Sequence, residues 1–301
     1  MTKSSGTILD GGCRPEGRGA GTEPRTSDDT DFPVTAATWF RDLQARICAA
    51  FEAFEPKSRF EERSWSKPAG HRLQGGGQSR LMRGDVFEKV GVNVSHVWGE
   101  FSPQARSQVA GAQESDGKFV ATGISLVAHM RNPYVPIVHM NLRYLQTSRA
   151  WFGGGSDLTP TFPFEEDTVE FHAALKAACD SYRPDAYAEY KAWCDRYFYL
   201  PHRQEPRGVG GIFFDDLASG DQAADFAFIK AVGEAFLRVY PPIVARRKGL
   251  PYDDAARDRL LIKRGRYVEF NLVYDRGTKF GFSTDADPEA YLMSLPPLVK
   301  W

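Results

Sequence analysis

Around Gly123 to Thr147 the hydrophobic pattern has a period of two on both sides of an Asn132-Pro133 break. In GISLVAH, Ser125, Val127 and His129 fall on one face of a predicted strand and Ile124, Leu126 and Ala128 on the other. In VHMNLRYLQT, Val138, Met140, Leu142 and Tyr144 oppose His139, Asn141 and Arg143. A proton-transfer group, an amide and a fixed cation thus share one side of a strand whose other side is apolar. That arrangement suits the floor of an anion-binding pocket, although a half-solvated antiparallel strand has the same pattern. Gly153 to Gly155 follow and read as a hinge.

The remaining pattern fills in around this pair. Residues 1–33 are Gly-, Ser-, Thr- and Pro-rich and read as a disordered tail. Trp39, Leu43, Ile47 and Phe51 recur every four residues and predict an amphipathic helix over about 35–55. Gly75-Gly76-Gly77 has no Lys-Ser/Thr after it, so it reads as a flexible hairpin turn and not a phosphate loop. GVNVSHVWGEF predicts a strand, with His96 on it. Glu165, Glu166 and Asp167 open a helix on which His172 points inward with Leu175 and Cys179, and DAYAEYKAWCDRYFYL continues as a second. His202, Arg203 and Arg207 lie in a loop before a strand ending at Asp215-Asp216. A long helix runs from about Gln222 to Arg247, bent or interrupted at Pro241-Pro242. RGRYVEFNLVYDRGTKFGF alternates Tyr267, Glu269, Asn271 and Val273 against Val268, Phe270, Leu272 and Tyr274, which predicts a long strand with a turn at Asp275-Arg276-Gly277. With no βαβ rhythm, the expected fold is α+β: a single domain over 34–301 with a large, mainly antiparallel sheet covered by helices.

Composition narrows the function by exclusion. A net charge of -1 with 26% charged residues gives no basic field for nucleic acid. No apolar run approaches a membrane span or a secretory signal, so a soluble, cytoplasmic protein is expected. The four cysteines are far apart and lack CxxC spacing, which reads as free thiols. Neither HExxH nor HxxxH occurs; two histidines with Asp157 could form an iron-binding facial triad on spacing alone. Arg143, Arg207, Arg266 and Arg276 sit beside glycine turns or at polar strand positions, where arginine suits bidentate capture of carboxylate or phosphate.

Several long motifs then converge. GVNVSH, GISLVAH…RNPYVPIVHMN, WFGGGSDLTP, HRQEPRGVGGIFFDDL, RGRYVEFNLVYDRGTKFGF and LMSLPPLVKW, in this order from about residue 35, closely resemble the oxygen-dependent coproporphyrinogen-III oxidases. The resemblance implies an enzyme of haem biosynthesis that converts two propionates of coproporphyrinogen III to vinyl groups, yielding protoporphyrinogen IX and CO2 with O2 as oxidant. It implies a large flat sheet between helical layers, no organic cofactor, and a homodimer formed through the C-terminal segment, 267–301. His139 matches the proton donor, Ser125, Asn141, Leu142 and Arg143 match substrate contacts, and Asp275-Arg276 matches a pair close to the tetrapyrrole; on chemical grounds a carboxylate such as Asp275 is expected to accept from a pyrrole N–H. His129, His139, His172 and His202 match positions taken as ligands of a divalent metal ion in bacterial relatives.

One segment departs from the family pattern. Thr284-Asp285-Ala286-Asp287 stands where relatives have Thr-Gly-Gly-Arg, so an arginine offered to the substrate is missing. Either Lys279 substitutes or the acids turn to solvent. A metal-dependent oxygenase and a non-catalytic tetrapyrrole carrier are the competing readings.

Overall fold

The computed structural model describes residues 32–107, 109–283 and 287–301. The first helix, α1 (Phe32–Glu52), takes in the last residues expected in the tail; the rest of that expectation lies outside the described residues. Seven strands form one antiparallel sheet: β1 (Glu61–Ser66), β2 (Leu73–Met82), β3 (Phe87–Glu100), β4 (Lys118–Met130), β5 (Ile137–Gln146), β6 (Ala150–Thr159) and β9 (Gly210–Leu217), paired in that order. A one-turn α2 (Pro103–Arg106) joins β3 to β4, and a separate two-residue ladder pairs β7 (Tyr199–Leu200) with β8 (Glu205–Pro206). The remaining helices are α3 (Glu165–Asp180), α4 (Ala186–Tyr197), α5 (Gln222–Arg247), α6 (Asp254–Val273), α7 (Arg276–Ser283) and α8 (Pro288–Tyr291). The α+β expectation holds.

The period-two pattern is realised as a sheet with two unlike faces. Val92, Ile124, Leu126, Met140, Leu142 and Tyr144 are buried on the apolar face. There α1 inserts Phe40, Leu43, Ile47 and Phe51, all with no exposed surface. Each such side chain contributes about 1.5–3 kcal/mol on burial. Gln44 on α1 ties helix to sheet by donating to the carbonyls of Val92 (2.8 Å) and Gln78 (3.2 Å). The start of α5 docks alongside, with Phe226 stacked on Phe152 at 5.8 Å and Gln222 donating to the Tyr144 hydroxyl. α3 is clamped to the end of α5 through Asp167, which accepts from Arg246 (2.7 Å) and Arg247 (2.8 Å). On the opposite face lie α6 and the C-terminal segment: Leu260 and Tyr267 pack on Val127 and Ile137, while Lys89 and Asn93 donate to the carbonyls of Leu295 and Ala290. Cys48, Cys179 and Cys194 are buried free thiols.

Four local expectations are corrected. Gly75 to Gly77 form no turn; they lie inside β2, where Gly77 passes under the Trp65 ring so closely that a Cβ would meet it at 2.6 Å. Gly153 to Gly155 are not a hinge but the buried centre of β6, held between β5 and β9. α5 runs uninterrupted through Pro241 and Pro242, a stretch anchored by the buried Tyr240 hydroxyl on the Pro136 carbonyl and by buried Ile243 and Val244. The predicted strand around Tyr267 is helix α6. Its N-cap Asp253 accepts from Ala256, and its buried positions Leu260, Arg264, Tyr267, Val268 and Asn271 follow a three-to-four-residue spacing. The end of the helix mimics a strand because its apolar residues are spread round the axis: Tyr267, Val268 and Phe270 are buried while Leu272 and Val273 are exposed. The following residues, expected to extend the strand, form α7.

Candidate active site

Backbone register assembles the site. On the polar face, Arg63, Ser79, Asn93, Ser125, Asn141, Gly155 and Phe213 form one row across the strands. Leu81, Gly91, Val127, His139, Asp157 and Gly211 form the row on one side of it, and Trp65, Gly77, Ser95, Gly123, Arg143 and Gly153 the row on the other. Ser125, His139, Asn141 and Arg143 are therefore immediate neighbours on one surface, each partly accessible. Leu142 is not on it: its side chain is buried on the apolar face near Gly233, leaving only its backbone to the polar side.

His139 is fixed by a buried chain of polar groups. Its Nδ1 is 2.9 Å from Asp157 Oδ1, and Arg207 donates to both oxygens of the same carboxylate at 2.7 and 2.8 Å. Burial alone would raise the Asp157 pKa, but the Arg207 charge and the His139 hydrogen bond outweigh it and hold the carboxyl below its ordinary range. An ionised Asp157 can only accept, so Nδ1 carries the proton and Nε2 is left to exchange one with whatever lies on the face. Arg207 in turn donates to Asn271 on α6, and Asn271 to the Ser294 hydroxyl. The guanidinium is wrapped by the rings of Phe198, Tyr267 and Phe270 at 3.9, 4.5 and 4.7 Å.

Arg143 donates to Asn141 Oδ1 (2.9 Å) and pairs with Asp215 of β9 at 2.8 Å, so this acid holds the cation over Gly153. A Cβ at Gly153 would stand 2.5 Å from Asp215 Oδ1 and 2.7 Å from Arg143 Nη2; only glycine leaves this pair its place. Asp275 reaches the β9 end of the same face indirectly. It accepts from Thr278 N and Oγ at 2.7 and 2.9 Å, capping α7, and from Tyr197, whose ring stacks on Phe213 at 4.2 Å. Arg276 is exposed and lies over the Tyr197 ring, and Lys279 is exposed one turn further on. Thr284 to Ala286 lie outside the described residues; Asp287 caps α8 and pairs with Arg63 at 3.0 Å.

The four histidines are not brought together as a donor set. His129 is on the polar face but fully buried, its Nε2 on the Ser294 carbonyl at 2.8 Å, and burial holds its pKa well below normal, so it is neutral. His172 spans the Val209 carbonyl and the Tyr187 hydroxyl, and His202 spans Glu269 and the Tyr274 hydroxyl. Among the described residues no three His, Cys, Asp or Glu side chains are placed around one metal ion. As a set these imidazoles do not fit one.

Glu269 has a different consequence. Hydrogen bonds from Arg203 first, and from His202, bring its pKa from 4.5 to about 2 against the opposing effect of burial. A depressed carboxyl stabilises fully above its unfolded pKa and loses that contribution as pH falls through the folded one. Wild type should thus be more stable than Glu269→Gln at pH 5 and above, with the gap in denaturation midpoint closing between pH 4.5 and about 2. Both partners are 38% exposed, so solvent screening keeps the gap modest.

The structure gives Asp157, Arg207 and Asp215 roles other than the iron triad, the anion capture and the paired acids expected of them: Asp157 orients His139, Arg207 holds Asp157, and Asp215 holds Arg143. Period-two counting from Gly153 through Gly155 puts Asp157 on the face of His139 only when the glycines are strand and not hinge.

Known proteins similar to this chain place it in one family. The family model described as coproporphyrinogen III oxidase matches residues 35–301. Proteins named oxygen-dependent coproporphyrinogen-III oxidase from Rickettsia bellii (strain OSU 85-389) and Rickettsia akari (strain Hartford) are each 54% identical over 274 residues, covering 88% of this chain and 96% of theirs. One from Rickettsia felis is 54% identical over 275 residues, covering 97% of its length. Long, ordered identity of this kind leaves one conclusion: the chain belongs to the coproporphyrinogen III oxidase family.

Proposed function

We propose that this protein oxidatively decarboxylates two propionates of coproporphyrinogen III to vinyl groups, giving protoporphyrinogen IX and CO2 with O2 as co-substrate. The observation that carries the reading is the placing of His139, oriented by Asp157, on the same sheet face as Ser125, Asn141 and Arg143. For each arm, ring–CH2–CH2–COO⁻, O2 and one proton become ring–CH=CH2, CO2 and hydrogen peroxide. The bond to the carboxylate and one C–H of the ring-side CH2 break, the C=C bond forms, and O2 takes up the two electrons. His139 supplies the proton through Nε2. Arg143 holds a propionate without risk of losing its own proton, and Ser125 and Asn141 give neutral hydrogen bonds beside it. Asp275 keeps lone-pair capacity beyond its bonds to Thr278 and Tyr197, and with it accepts from a pyrrole N–H.

The test is product analysis after aerobic incubation with coproporphyrinogen III, repeated without O2 and with a chelator. Oxygen-dependent CO2 release that survives chelation supports the reading. Loss on chelation supports a metal-dependent oxygenase, and no release under any condition a tetrapyrrole carrier. Gly153→Ala should raise KM about tenfold, equivalent to ~1.4 kcal/mol of binding, by displacing Arg143. The atoms its methyl meets are free ends of side chains, so denaturant titration should show little loss of stability.

Self-association through 267–301 is part of the same proposal. Leu272, Val273, Leu298 and Trp301 in this segment are 42, 50, 57 and 71% exposed, which suits burial against a second copy. Light scattering on the purified protein gives the mass that decides it. A cytoplasmic location is likewise proposed; no helix among the described residues is long and apolar enough to cross a membrane.

A further inference from the structure

The row containing Arg143 continues toward β1 as a trough. From Arg143 it passes Gly123, Ser95 and Gly77 and ends at Trp65. These floor residues are half-accessible; Gly123 has no side chain to fill the space above it, and Gly77 is covered by the Trp65 ring. Four strand spacings separate Arg143 from Trp65, about 19 Å at the usual interstrand distance. One flank of the trough is the C-terminal segment, pinned along the neighbouring row by the Asn93 amide on the Ala290 carbonyl (2.8 Å) and by Arg63 on Asp287 (3.0 Å). At the far end the half-buried indole of Trp65 lies over Gly77, where a Cβ would meet it at 2.6 Å. Two residues earlier on the same face stands Arg63, a cation 64% exposed whose partner Asp287 comes from the segment that bounds the trough.

We propose that Trp65 and Arg63 form the end of the tetrapyrrole site remote from His139. The indole stacks on one pyrrole ring, and Arg63 takes that ring's propionate in exchange for Asp287. The inference rests on the proposed activity for its ligand. A porphyrinogen is not planar as a whole, but each pyrrole is a flat electron-rich ring that can lie against the outer face of the indole, and a floor of Gly123 and Ser95 lets the rest of the ligand approach the backbone. Arg63 also supplies a cation at the C-terminal segment, where this chain carries Asp287.

The proposal is tested with two readouts: steady-state kinetics on coproporphyrinogen III, and quenching of tryptophan emission by the stable, coloured coproporphyrin III. Trp65→Ala and Arg63→Gln should each raise KM about five- to tenfold with kcat within twofold of wild type. Trp65→Phe, which keeps a ring over Gly77, should stay near wild type in KM yet lose a distinct part of the quenching. Wild-type KM in Trp65→Ala, or unchanged quenching in Trp65→Phe, overturns it. Should Trp65→Ala fail to fold, the Trp65→Phe quenching still decides. A wild-type protein that binds the porphyrin but does not turn over the porphyrinogen refutes the activity alone, because the quenching locates the tetrapyrrole independently of chemistry.

Discussion

His139→Ala is expected to lower kcat by a factor of about 10² to 10⁴ while binding coproporphyrin III within about twofold of wild type. The imidazole is 20% exposed and contributes no charge pairing to the ligand, so its loss removes proton delivery and little else. Asp157→Asn should reproduce part of this loss. An amide in place of the carboxylate can present its NH2 to His139 Nδ1, which favours the tautomer protonated at Nε2 and takes away the oriented acceptor. Steady-state kinetics with a porphyrin-binding titration separates the two parameters. Weakened binding with unchanged kcat would assign His139 to holding the substrate instead.

Arg207→Ala is expected to destabilise the fold by about 3–5 kcal/mol, read as a fall in denaturation midpoint. Arg207 and Asp157 are 2% and 1% exposed, and removing the cation strands a buried carboxylate without its charge partner and empties the space between the rings that enclose the guanidinium. The instructive comparison is the double variant Arg207→Met with Asp157→Asn, which removes both charges. It should recover much of the stability without activity, since His139 is still unoriented. If the double variant is as unstable as Arg207→Ala, ring packing by the guanidinium, not charge compensation, is what the core requires.

Strands β4 and β5 were legible because each buries one face, and period two then dictates which side chains share a surface. The pairing of Val127 with His139 and of Ser125 with Asn141 adds what alternation alone lacks, the register between strands. Two kinds of information were hidden. The glycine runs, Gly75 to Gly77 and Gly153 to Gly155, look like turns because glycine is permissive, whereas here it clears room for Trp65 and for the Arg143–Asp215 pair. The end of α6 looks like a strand because apolar residues are buried at Tyr267, Val268 and Phe270 but exposed at Leu272 and Val273, so a short window shows no clean helical stripe. Long-range partners were out of reach for the same reason. Nothing local links Asp157 to Arg207, fifty residues apart in sequence, or Arg63 to Asp287.

The central claim is that the polar face of the sheet is where the tetrapyrrole reacts. The most direct measurement is an experimental structure with coproporphyrin III bound. The macrocycle should lie along Ser125, Asn141 and Arg143, with a propionate-bearing edge within reach of His139 Nε2. A tetrapyrrole bound away from this face, with His139 and Arg143 still engaged only by Asp157, Asn141 and Asp215, would contradict it.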